Sequence, residues 1–342
     1  MSLPNGGESA ARRYTVAAKP ETRSPRKVAA AVSWDIHSPA RVDGSIRSLL
    51  AEAQRADGVP PLSDGVLDAA DAADTTTVAL VDGSTVVGFG IATGLGSRGA
   101  VEFTIHPDFR GQGLGKKLWT ELLERLRAEG SQHTTWPWSH GNHPAAAALA
   151  AEYGYTPQRT LLQLQTPRVE KLELPPLDLP AGVSLRTFET ADEERWLEIN
   201  NAAFSWHPEQ GNQTIEDIRG RTRSADFDPR DVIIAEQDGR VIGFHDTKMH
   251  PEHVSGMLVG EVYVIAVDPS VHAKGIGNAL MVAGMRDMID RRGAQMLELY
   301  VEDDNDKALG LYDRLGFAHR IEHISYAPPQ AEDTAETTQG ER

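Results

Sequence analysis

The chain shows the same order of hydrophobic and polar runs twice. Residues 78–93 and 232–247 each consist of two β-rich runs around an Asp-Gly pair, at residues 82–83 and 238–239. An Asp-Gly pair between two such runs is typical of a β-hairpin. Each hairpin is followed by another apolar run and then by apolar residues spaced three and four apart, which predicts an amphipathic helix. Each half therefore predicts several strands followed by a helix.

The segment that joins strand to helix is also repeated. It reads FTIHPDFRGQGLGKKLW at residues 103–119 and VIAVDPSVHAKGIGNALM at residues 264–281. Pro107 and Pro269 lie 162 residues apart, and the glycines of the two loops keep that spacing. Both halves then close with a helix that ends in a glycine followed by an aromatic residue. A repeat of this length indicates a duplicated domain rather than a solenoid.

Polar or proline-rich segments flank and separate the two copies. Residues 1–33 are rich in polar, basic and proline residues without periodicity, and residues 328–342 are polar, so both are predicted to be disordered. Residues 166–182 are proline-rich and lack a helical period, which predicts a partly extended linker. The predicted domains are residues 34–165 and residues 183–327.

Composition narrows the class of function. The chain has 342 residues, 40% hydrophobic residues and a net charge of −16. No apolar run approaches the ~20 residues of a membrane span, and no export signal is evident, so we expect a cytoplasmic protein. We also expect a monomer whose partners are small molecules. The negative charge argues against nucleic-acid binding. Without cysteine, and without an acidic cluster near His207 and His250, no metal site is expected.

The repeated loop and the helix start after it have the features of a phosphate-binding site, which we call the cradle of each half. A strand that leads through Gly-x-Gly into a helix presents free backbone N–H groups and a positive helix terminus to a pyrophosphate. Arg110 in the first copy and Lys274 in the second add charge. The alternative is a tight turn between strand and helix that binds nothing. A dinucleotide-binding fold fits less well, because a third glycine is missing after Gly277.

The combined pattern resembles the GNAT acetyltransferases. Their signature, Gln/Arg-x-x-Gly-x-Gly/Ala, is matched by RGQGLG at residues 110–115, whereas HAKGIG at residues 272–277 begins with histidine. The resemblance implies an α/β (α+β) fold with two tandem GNAT domains, each a mixed, largely antiparallel twisted sheet flanked by helices. It also implies acetyl-CoA as a cosubstrate, with no permanent cofactor and a second molecule held in the first half.

The same resemblance implies which residues contact acetyl-CoA. In the second half they belong to one strand, the loop after it and a later helix start: Ile265, Ala266, Val267, His272, Ala273, Lys274, Gly275, Ile276, Gly277, Asn278, Asn305, Asp306, Lys307, Ala308, Leu309 and Gly310. In the first half they belong to the strand and the loop alone: Phe103, Thr104, Ile105, Gly111, Gln112, Gly113, Leu114, Gly115 and Lys116.

Four separated stretches, at residues 200–211, 243–251, 260–269 and 299–317, narrow the resemblance to the mycothiol synthase branch of the family, over about residues 40–327. This resemblance implies transfer of acetyl from acetyl-CoA to the cysteinyl amine of desacetylmycothiol, a cysteinyl-glucosaminyl-inositol, which gives mycothiol and CoA. Two alternatives stay open. One is a tandem enzyme that acts on an aminoglycoside or a protein N-terminus, and the other is a non-catalytic acetyl-CoA sensor.

The resemblance also implies two catalytic residues, both in the second half. Glu261 is expected to be the general base and Tyr312 the general acid. The alternatives are a solvated glutamate at a strand end and a core tyrosine that packs the turn at residues 316–317. A tyrosine near pKa 10 is a weaker acid than a thiol near 8.5, so much of the expected role is a hydrogen bond to the departing thiolate.

The first half lacks both catalytic groups at the corresponding positions. The 162-residue spacing places Gly99 opposite Glu261, and helix spacing places Leu149 or Ala150 opposite Tyr312. Glu102 is nearby, but it corresponds to a different strand position. We therefore expect the first half to bind acetyl-CoA without turnover.

Substrate contacts are implied by the resemblance as well. The candidates are Asp64, Glu209, Lys248, Glu261 and Tyr300, and carboxylates among them suit a ligand rich in hydroxyl groups. Asp64 stands where the family has glutamate, and its alternative role is a helix N-cap. The alternatives for the others are a turn residue at Glu209 and a solvated strand lysine at Lys248.

Overall fold

The computed structural model of the protein describes residues 35–329 with short gaps, at residues 39, 73, 94–98, 129–134, 206–209, 225–226, 252, 254 and 272–273. The predicted leader and nearly all of the predicted tail lie outside the described residues. Glu209, His272 and Ala273, for which contacts are predicted, lie outside the described residues too.

Within its described residues, the first half forms six strands and four α-helices. The strands are β1 (Asp35–His37), β2 (Thr76–Asp82), β3 (Thr85–Thr93), β4 (Gly99–Ile105), β5 (Thr135–His140) and β6 (Thr156–Gln165). The helices are α1 (Gly44–Asp57), α2 (Asp64–Asp68), α3 (Leu114–Ala128) and α4 (Pro144–Glu152).

The second half repeats this plan. Its strands are β7 (Val183–Thr187), β8 (Val232–Gln237), β9 (Arg240–His250), β10 (Val259–Val267), β11 (Met296–Glu302) and β12 (His319–Ala327). Its helices are α5 (Glu193–Ala203), α6 (Ile215–Thr222), α7 (Ile276–Arg286) and α8 (Asp306–Arg314), and a π-helical turn at Asp287–Arg291 extends α7.

The two hairpins predicted from the Asp-Gly pairs are confirmed. They are β2–β3 and β8–β9, both antiparallel. Asp238 and Gly239 both have positive φ angles, of 52° and 76°. Positive angles at both central residues are the geometry that brings two strands back at a two-residue turn, and they explain why glycine follows aspartate there.

All twelve strands of the described residues join one sheet, in the order β1-β2-β3-β4-β5-β12-β6-β11-β10-β9-β8-β7. Its pairings are antiparallel except for β4–β5 and β10–β11. This confirms the predicted α/β class with a mixed, largely antiparallel sheet. None of the helices in the described part of the chain is long and apolar enough to cross a membrane.

The last strand of each half completes the other half's part of the sheet. β6, from the first half, pairs with β11, and β12, from the second half, pairs with β5. The apolar side chains follow the strands. Leu162 and Leu164 of β6 pack into the second half's core, whereas Ile324 and Tyr326 of β12 pack into the first half's core. The predicted domain boundary after residue 165 thus follows a strand whose partners lie in the second half.

The two parallel pairings are short, so part of each strand edge has no partner strand. β4 pairs with β5 only over residues 99–101, and β10 pairs with β11 only over residues 259–262. Beyond these points the neighbouring strands diverge. A strand edge without a partner leaves backbone N–H and C=O groups available to a ligand.

Candidate active site

The cleft in the first half contains most of the predicted acetyl-CoA residues. Its volume is about 220 Å³. The predicted residues that line it are Phe103, Thr104, Ile105, Gly111, Gly113, Leu114 and Gly115. Gln112 does not line it, and Lys116 forms an ion pair with Glu152 on the surface. Phe103 stacks on Trp119 with ring centroids 5.8 Å apart, which gives the cleft an apolar wall.

The basic residue of the first loop is already paired. The Arg110 guanidinium donates to both carboxylate oxygens of Asp57 on α1, at 2.6 and 2.8 Å. It also donates to the backbone oxygen of Ile105 at 3.0 Å. Arg110 therefore fixes the loop against α1. The loop's own backbone, with Gly113 at a φ of 78° just before α3, remains the main feature that suits a pyrophosphate.

The cradle in the second half has the same construction. Gly275, with a φ of 95°, is the N-cap of α7, and Ile276, Gly277 and Asn278 form its first turn. Lys274 is exposed beside it. Ile265, Ala266 and Val267 lie on β10 beyond its pairing with β11, and no strand of the described residues pairs with that edge.

The predicted residues of the later helix form the start of α8. Asn305 is the N-cap, and its side-chain oxygen accepts a hydrogen bond from the backbone N–H of Ala308 at 3.2 Å. Asp306, Lys307, Ala308, Leu309 and Gly310 are the first five residues of the helix. The local role of Asn305 is therefore to begin α8.

A row of polar residues crosses the sheet at the predicted substrate site. Lys248, Glu261, Glu298 and Gln165 are successive cross-strand partners on β9, β10, β11 and β6. Directly paired residues point to the same face of a sheet, and so do residues two positions apart on one strand. Tyr300 therefore shares this face. The structure brings together the predicted residues Lys248, Glu261 and Tyr300, and it adds Glu298.

Glu261 is buried and paired, with only 8% of its surface exposed. Its Oε2 lies 2.7 Å from Nε2 of His250 at the end of β9. The alternative of a solvated strand-end glutamate is therefore wrong. The hydrogen bond to Glu261 raises the pKa of His250 against the opposing effect of burial.

Glu298 is a buried carboxylate that sequence reasoning missed. It accepts hydrogen bonds from Gln163 at 2.8 Å and from Gln165 at 3.0 Å, and its Oε2 lies 3.4 Å from His253 Nε2. Burial alone would raise the pKa of Glu298, but the contacts with His253 and Gln165 outweigh it, so the pKa is lowered. The signal was present in the alternation of Leu and Gln along β6, which places both glutamines on one face.

Tyr300 and Asp64 connect this face to the first half. Tyr300 packs against His323 with ring centroids 5.7 Å apart, and 41% of its surface is exposed. Burial raises its pKa, and the charges of Glu298, Glu261 and Asp64 raise it further. Asp64, on α2 of the first half, is thus near the second half's site. The predicted alternative of an N-cap is wrong, because Ser63 occupies that position.

Tyr312 lies on α8, partly buried in the second core. Its ring packs edge-on against Phe317, with centroids 6.0 Å apart, so the packing role considered as the alternative is real. Burial raises the pKa of Tyr312. Lys248 places its ammonium 3.4 Å from the centroid of the Tyr263 ring, a cation–π contact, so it is not simply a solvated lysine.

The corresponding positions in the first half are two alanines. The register of β10 shifts between Val262 and Val264, whereas β4 pairs with β3 without a shift. This bulge adds one residue, so Ala100, rather than the predicted Gly99, occupies the position of Glu261. Helix α4 begins after His143 as α8 begins after Asn305, which places Ala150, rather than Leu149, opposite Tyr312.

Glu102 is close to these positions but is otherwise engaged. Its carboxylate accepts hydrogen bonds from the backbone and the hydroxyl of Ser63, at 2.6 and 2.8 Å. His140 Nε2 lies 3.1 Å away. Burial would raise the pKa of Glu102, but the contacts with His140 and Ser63 outweigh it, and the pKa is lowered. Across the described residues, no group of three or more His, Asp or Glu has metal-binding geometry.

Comparison with known proteins agrees with this duplicated architecture. Two stretches, residues 45–155 and 193–317, match the Acetyltransferase (GNAT) family. A mycothiol acetyltransferase of Pseudarthrobacter chlorophenolicus is 40% identical over 299 residues, covering 82% of this chain and 91% of the relative. A mycothiol acetyltransferase of Frankia casuarinae is 37% identical over 336 residues, covering 86% of this chain and 97% of the relative.

Solved structures resemble the fold along most of the chain. A GCN5-related N-acetyltransferase from Sphaerobacter thermophilus has a TM-score of 0.67 at 23% identity, covering 86% of this chain and 95% of that one. A tandem GNAT protein from the clavulanic acid biosynthesis pathway has a TM-score of 0.65 at 17% identity, covering 86% and 98%. At these identities the likeness concerns the fold alone. From the two family matches and the curated relatives together, the chain belongs to the Acetyltransferase (GNAT) family.

Proposed function

We propose that this chain is a mycothiol acetyltransferase, which moves acetyl from acetyl-CoA to the cysteinyl amine of desacetylmycothiol and so gives mycothiol and CoA. Its curated relatives have that name and match most of its length. The observation that supports the reaction most directly is Glu261, a buried carboxylate on β10, just before the strand leaves β11. A base at this point lies beside the cleft that the cosubstrate would occupy.

The backbone of β10 suits the acyl donor. Beyond residue 262 the strand is paired with β9 on one side only. Its other edge offers N–H and C=O groups to the pantetheine arm and the acetyl carbonyl, as a neighbouring strand would. The pyrophosphate then meets the N-terminus of α7, where Gly275 leaves the backbone uncovered.

The amine has to lose a proton before or during attack. An α-amino group has a pKa near 7.7–8.0, so part of it is already neutral at cellular pH. Glu261 removes the remaining proton, directly or through a water molecule. Asp64 and Lys248 hold the sugar and inositol hydroxyl groups, and Tyr300 lies nearer the amine. Glu209 is proposed to join Asp64 and Lys248 from outside the described residues.

Tyr312 assists the departure of CoA. Because burial raises the pKa of Tyr312, its hydroxyl holds its proton more tightly than usual. A hydrogen bond from this hydroxyl to the developing thiolate stabilises the leaving group without full proton transfer. This role uses the polar tip of the side chain while the ring keeps its packing contact with Phe317.

The first half keeps a cradle and lacks the chemistry. Its cleft presents the same strand, loop and helix start, whereas Ala100 and Ala150 replace the base and the acid. We propose that it binds a second molecule of acetyl-CoA without turning it over. We further propose that the protein acts as a monomer in the cytoplasm.

The test is acetylation of desacetylmycothiol by the purified protein, followed by mass spectrometry of the product. Glu261→Gln is expected to lower turnover by about 10²- to 10⁴-fold, and Tyr312→Phe to lower it less. Tyr153→Phe is the matched control, since this tyrosine packs in the first half and bonds to Thr120. If the protein acetylates a different amine but not desacetylmycothiol, the proposed substrate is wrong. Binding of acetyl-CoA without any turnover would indicate a sensor.

A further inference from the structure

Two buried carboxylates face each other at the site, and each has its own histidine. Glu261 and Glu298 are direct partners on the parallel strands β10 and β11, with 8% and 3% of their surfaces exposed. His250 contacts Glu261 at 2.7 Å, and His253 contacts Glu298 at 3.4 Å. The two histidines stand three residues apart in the chain, at and just after the end of β9.

Carboxylates at paired positions on one face repel each other when both are charged, and a neighbouring positive charge offsets that repulsion. The contacts of Glu298 with His253 and Gln165 lower its pKa, so Glu298 is a charged neighbour of Glu261. A positive charge in contact with Glu261 would therefore support the proposed base.

The other charged groups around Glu261 do not supply that charge by contact. Lys248 is its cross-strand partner on β9, but its ammonium lies over the Tyr263 ring, and it makes no ion pair with any described carboxylate. Tyr300 on β11 is neutral, and Asp64 on α2 adds negative charge. Among the described residues, His250 is the cation-forming group in contact with Glu261.

We propose that His250 is a positioning residue for the acetyl transfer: its imidazole holds Oε2 of Glu261 and offsets the negative charge of Glu298, which leaves Oε1 to meet the amine. This inference rests on the proposed function of Glu261. The burial of the pair and the single short contact define where the second oxygen can point.

The titration of His250 agrees with this role. Its hydrogen bond to Glu261 raises the pKa of His250, and burial opposes the rise. The negative charges of Glu261, Glu298 and Asp64 raise it further. A larger fraction of His250 is therefore protonated near neutral pH than of an ordinary histidine, and a protonated imidazole is a donor at both nitrogens.

In the acetyl transfer, the acceptor amine replaces the CoA sulfur on the acetyl carbon. The amine nitrogen forms its bond to the acetyl carbon, and its proton passes to Oε1 of Glu261. The carbon–sulfur bond breaks with its electron pair on the CoA sulfur, which then takes a proton from solvent. Glu261 returns the amine's proton to solvent, while His250 keeps its own proton throughout.

The first test is the dependence of turnover on pH in His250→Gln, a variant that keeps a donor to Glu261 but removes the charge. In a plot of kcat against pH, the acidic limb is the side on which kcat falls as pH decreases. This limb is expected to move to higher pH by about one to two units, as is typical when a neighbouring opposite charge is lost. The fall in turnover is therefore largest at acidic pH, and KM for acetyl-CoA does not change, because its cradle lies on α7. His37→Gln, on the exposed edge strand β1, is the matched control.

The second test removes the negative charge of Glu298, which repels Glu261, instead of restoring the positive charge of His250. Glu298→Gln in the His250→Gln background is expected to return the acidic limb toward its original position. Glu298→Gln alone is expected to move it to lower pH, and this variant keeps the proposal testable if His250→Gln does not fold. The proposal would be overturned if the acidic limb of the kcat profile stayed in place in His250→Gln. It would also be overturned if Glu298→Gln left that limb unchanged.

The same series separates this inference from the function on which it rests. If Glu261→Gln turns over like the unaltered protein, the proposed base itself is wrong. If Glu261→Gln is inactive while the acidic limb of His250→Gln stays in place, the base holds and the role of His250 alone is wrong.

Discussion

His140 and His323 share a hydrogen bond between their Nδ1 atoms, 3.0 Å apart, although 183 residues separate them in the chain. They lie on β5 and β12, the strands at which the two halves meet. His140 lines the cleft of the first half, and His323 packs against Tyr300, with ring centroids 5.7 Å apart. One contact therefore joins the first half's cleft to the polar face of the second.

This contact predicts how stability depends on pH. Burial, with His140 beside it, lowers the pKa of His323 to about 3, whereas an unfolded histidine titrates near 6.5. Between these values the unfolded chain binds a proton that the folded chain does not, so stability is lost as pH falls below 6.5. His323→Gln is expected to reduce that loss by up to about 1.4 kcal/mol per pH unit.

The measurement is urea unfolding of both proteins at pH 7 and pH 5.5. His245, whose pKa burial lowers to about 4, acts in the same direction as His323. Asp246 acts in the opposite direction, because burial raises its pKa to about 6 and its folded form takes up a proton first. Both residues are present in both proteins, so their effects cancel in the difference. Equal pH dependence of the two proteins would contradict the prediction.

Because β6 of the first half pairs with β11 of the second, a fragment of the second half is expected to need β6 for its stability. Without β6, the edge of β11 loses its antiparallel partner, and the core loses Leu162 and Leu164. Deleting one buried leucine side chain alone costs about 2–5 kcal/mol. A fragment of residues 166–329 is therefore expected to melt at lower temperature, or without a cooperative transition, compared with residues 156–329. Identical melting curves by circular dichroism would show that β6 is dispensable.

The sequence was sufficient for the local parts of this fold. The hairpins and the loop-to-helix segments depend on residues near each other in the chain, and Asp238–Gly239 is an example whose backbone angles match its residue types. The partner of β6 could not be predicted in this way. Its alternating Leu and Gln residues suit any neighbour with one apolar and one polar face, so the choice of β11 is decided by tertiary packing.

The site was predictable only in part for the same reason. Glu261 is a candidate through the family resemblance, but the bulge that shifts its first-half counterpart to Ala100 leaves no local signal in the residues of β10. Glu298 and His250 are ordinary polar residues in the sequence. They become candidates only through the register of β10 with β11 and the contact between His250 and Glu261, both of which require the assembled sheet.

The paired loop glycines predict an unequal response to the same substitution. Gly113 and Gly275 both have positive φ, at 78° and 95°, and precede equivalent helices. A side chain there costs about 1–2 kcal/mol in the left-handed region and crowds the cradle. Gly275→Ala is expected to raise KM for acetyl-CoA and lower turnover, whereas Gly113→Ala weakens binding in the first half with little loss of turnover. Equal losses of turnover would place chemistry in both halves.

Substitution of Asp64, which lies in the first half, is expected to weaken binding of the acceptor at the site in the second half. It stands at the start of α2, exposed, and its charge acts on Tyr300 and His250 across the site. A hydrogen bond to a charged group contributes about 1.5–3 kcal/mol, so Asp64→Ala is expected to raise KM for desacetylmycothiol by about ten- to a hundredfold. KM for acetyl-CoA should not change, because neither cradle includes α2. Asp68→Ala, at the far end of the same helix, is the control for effects on α2 itself. If both variants raise KM for the acceptor alike, Asp64 acts through the helix and does not contact the substrate.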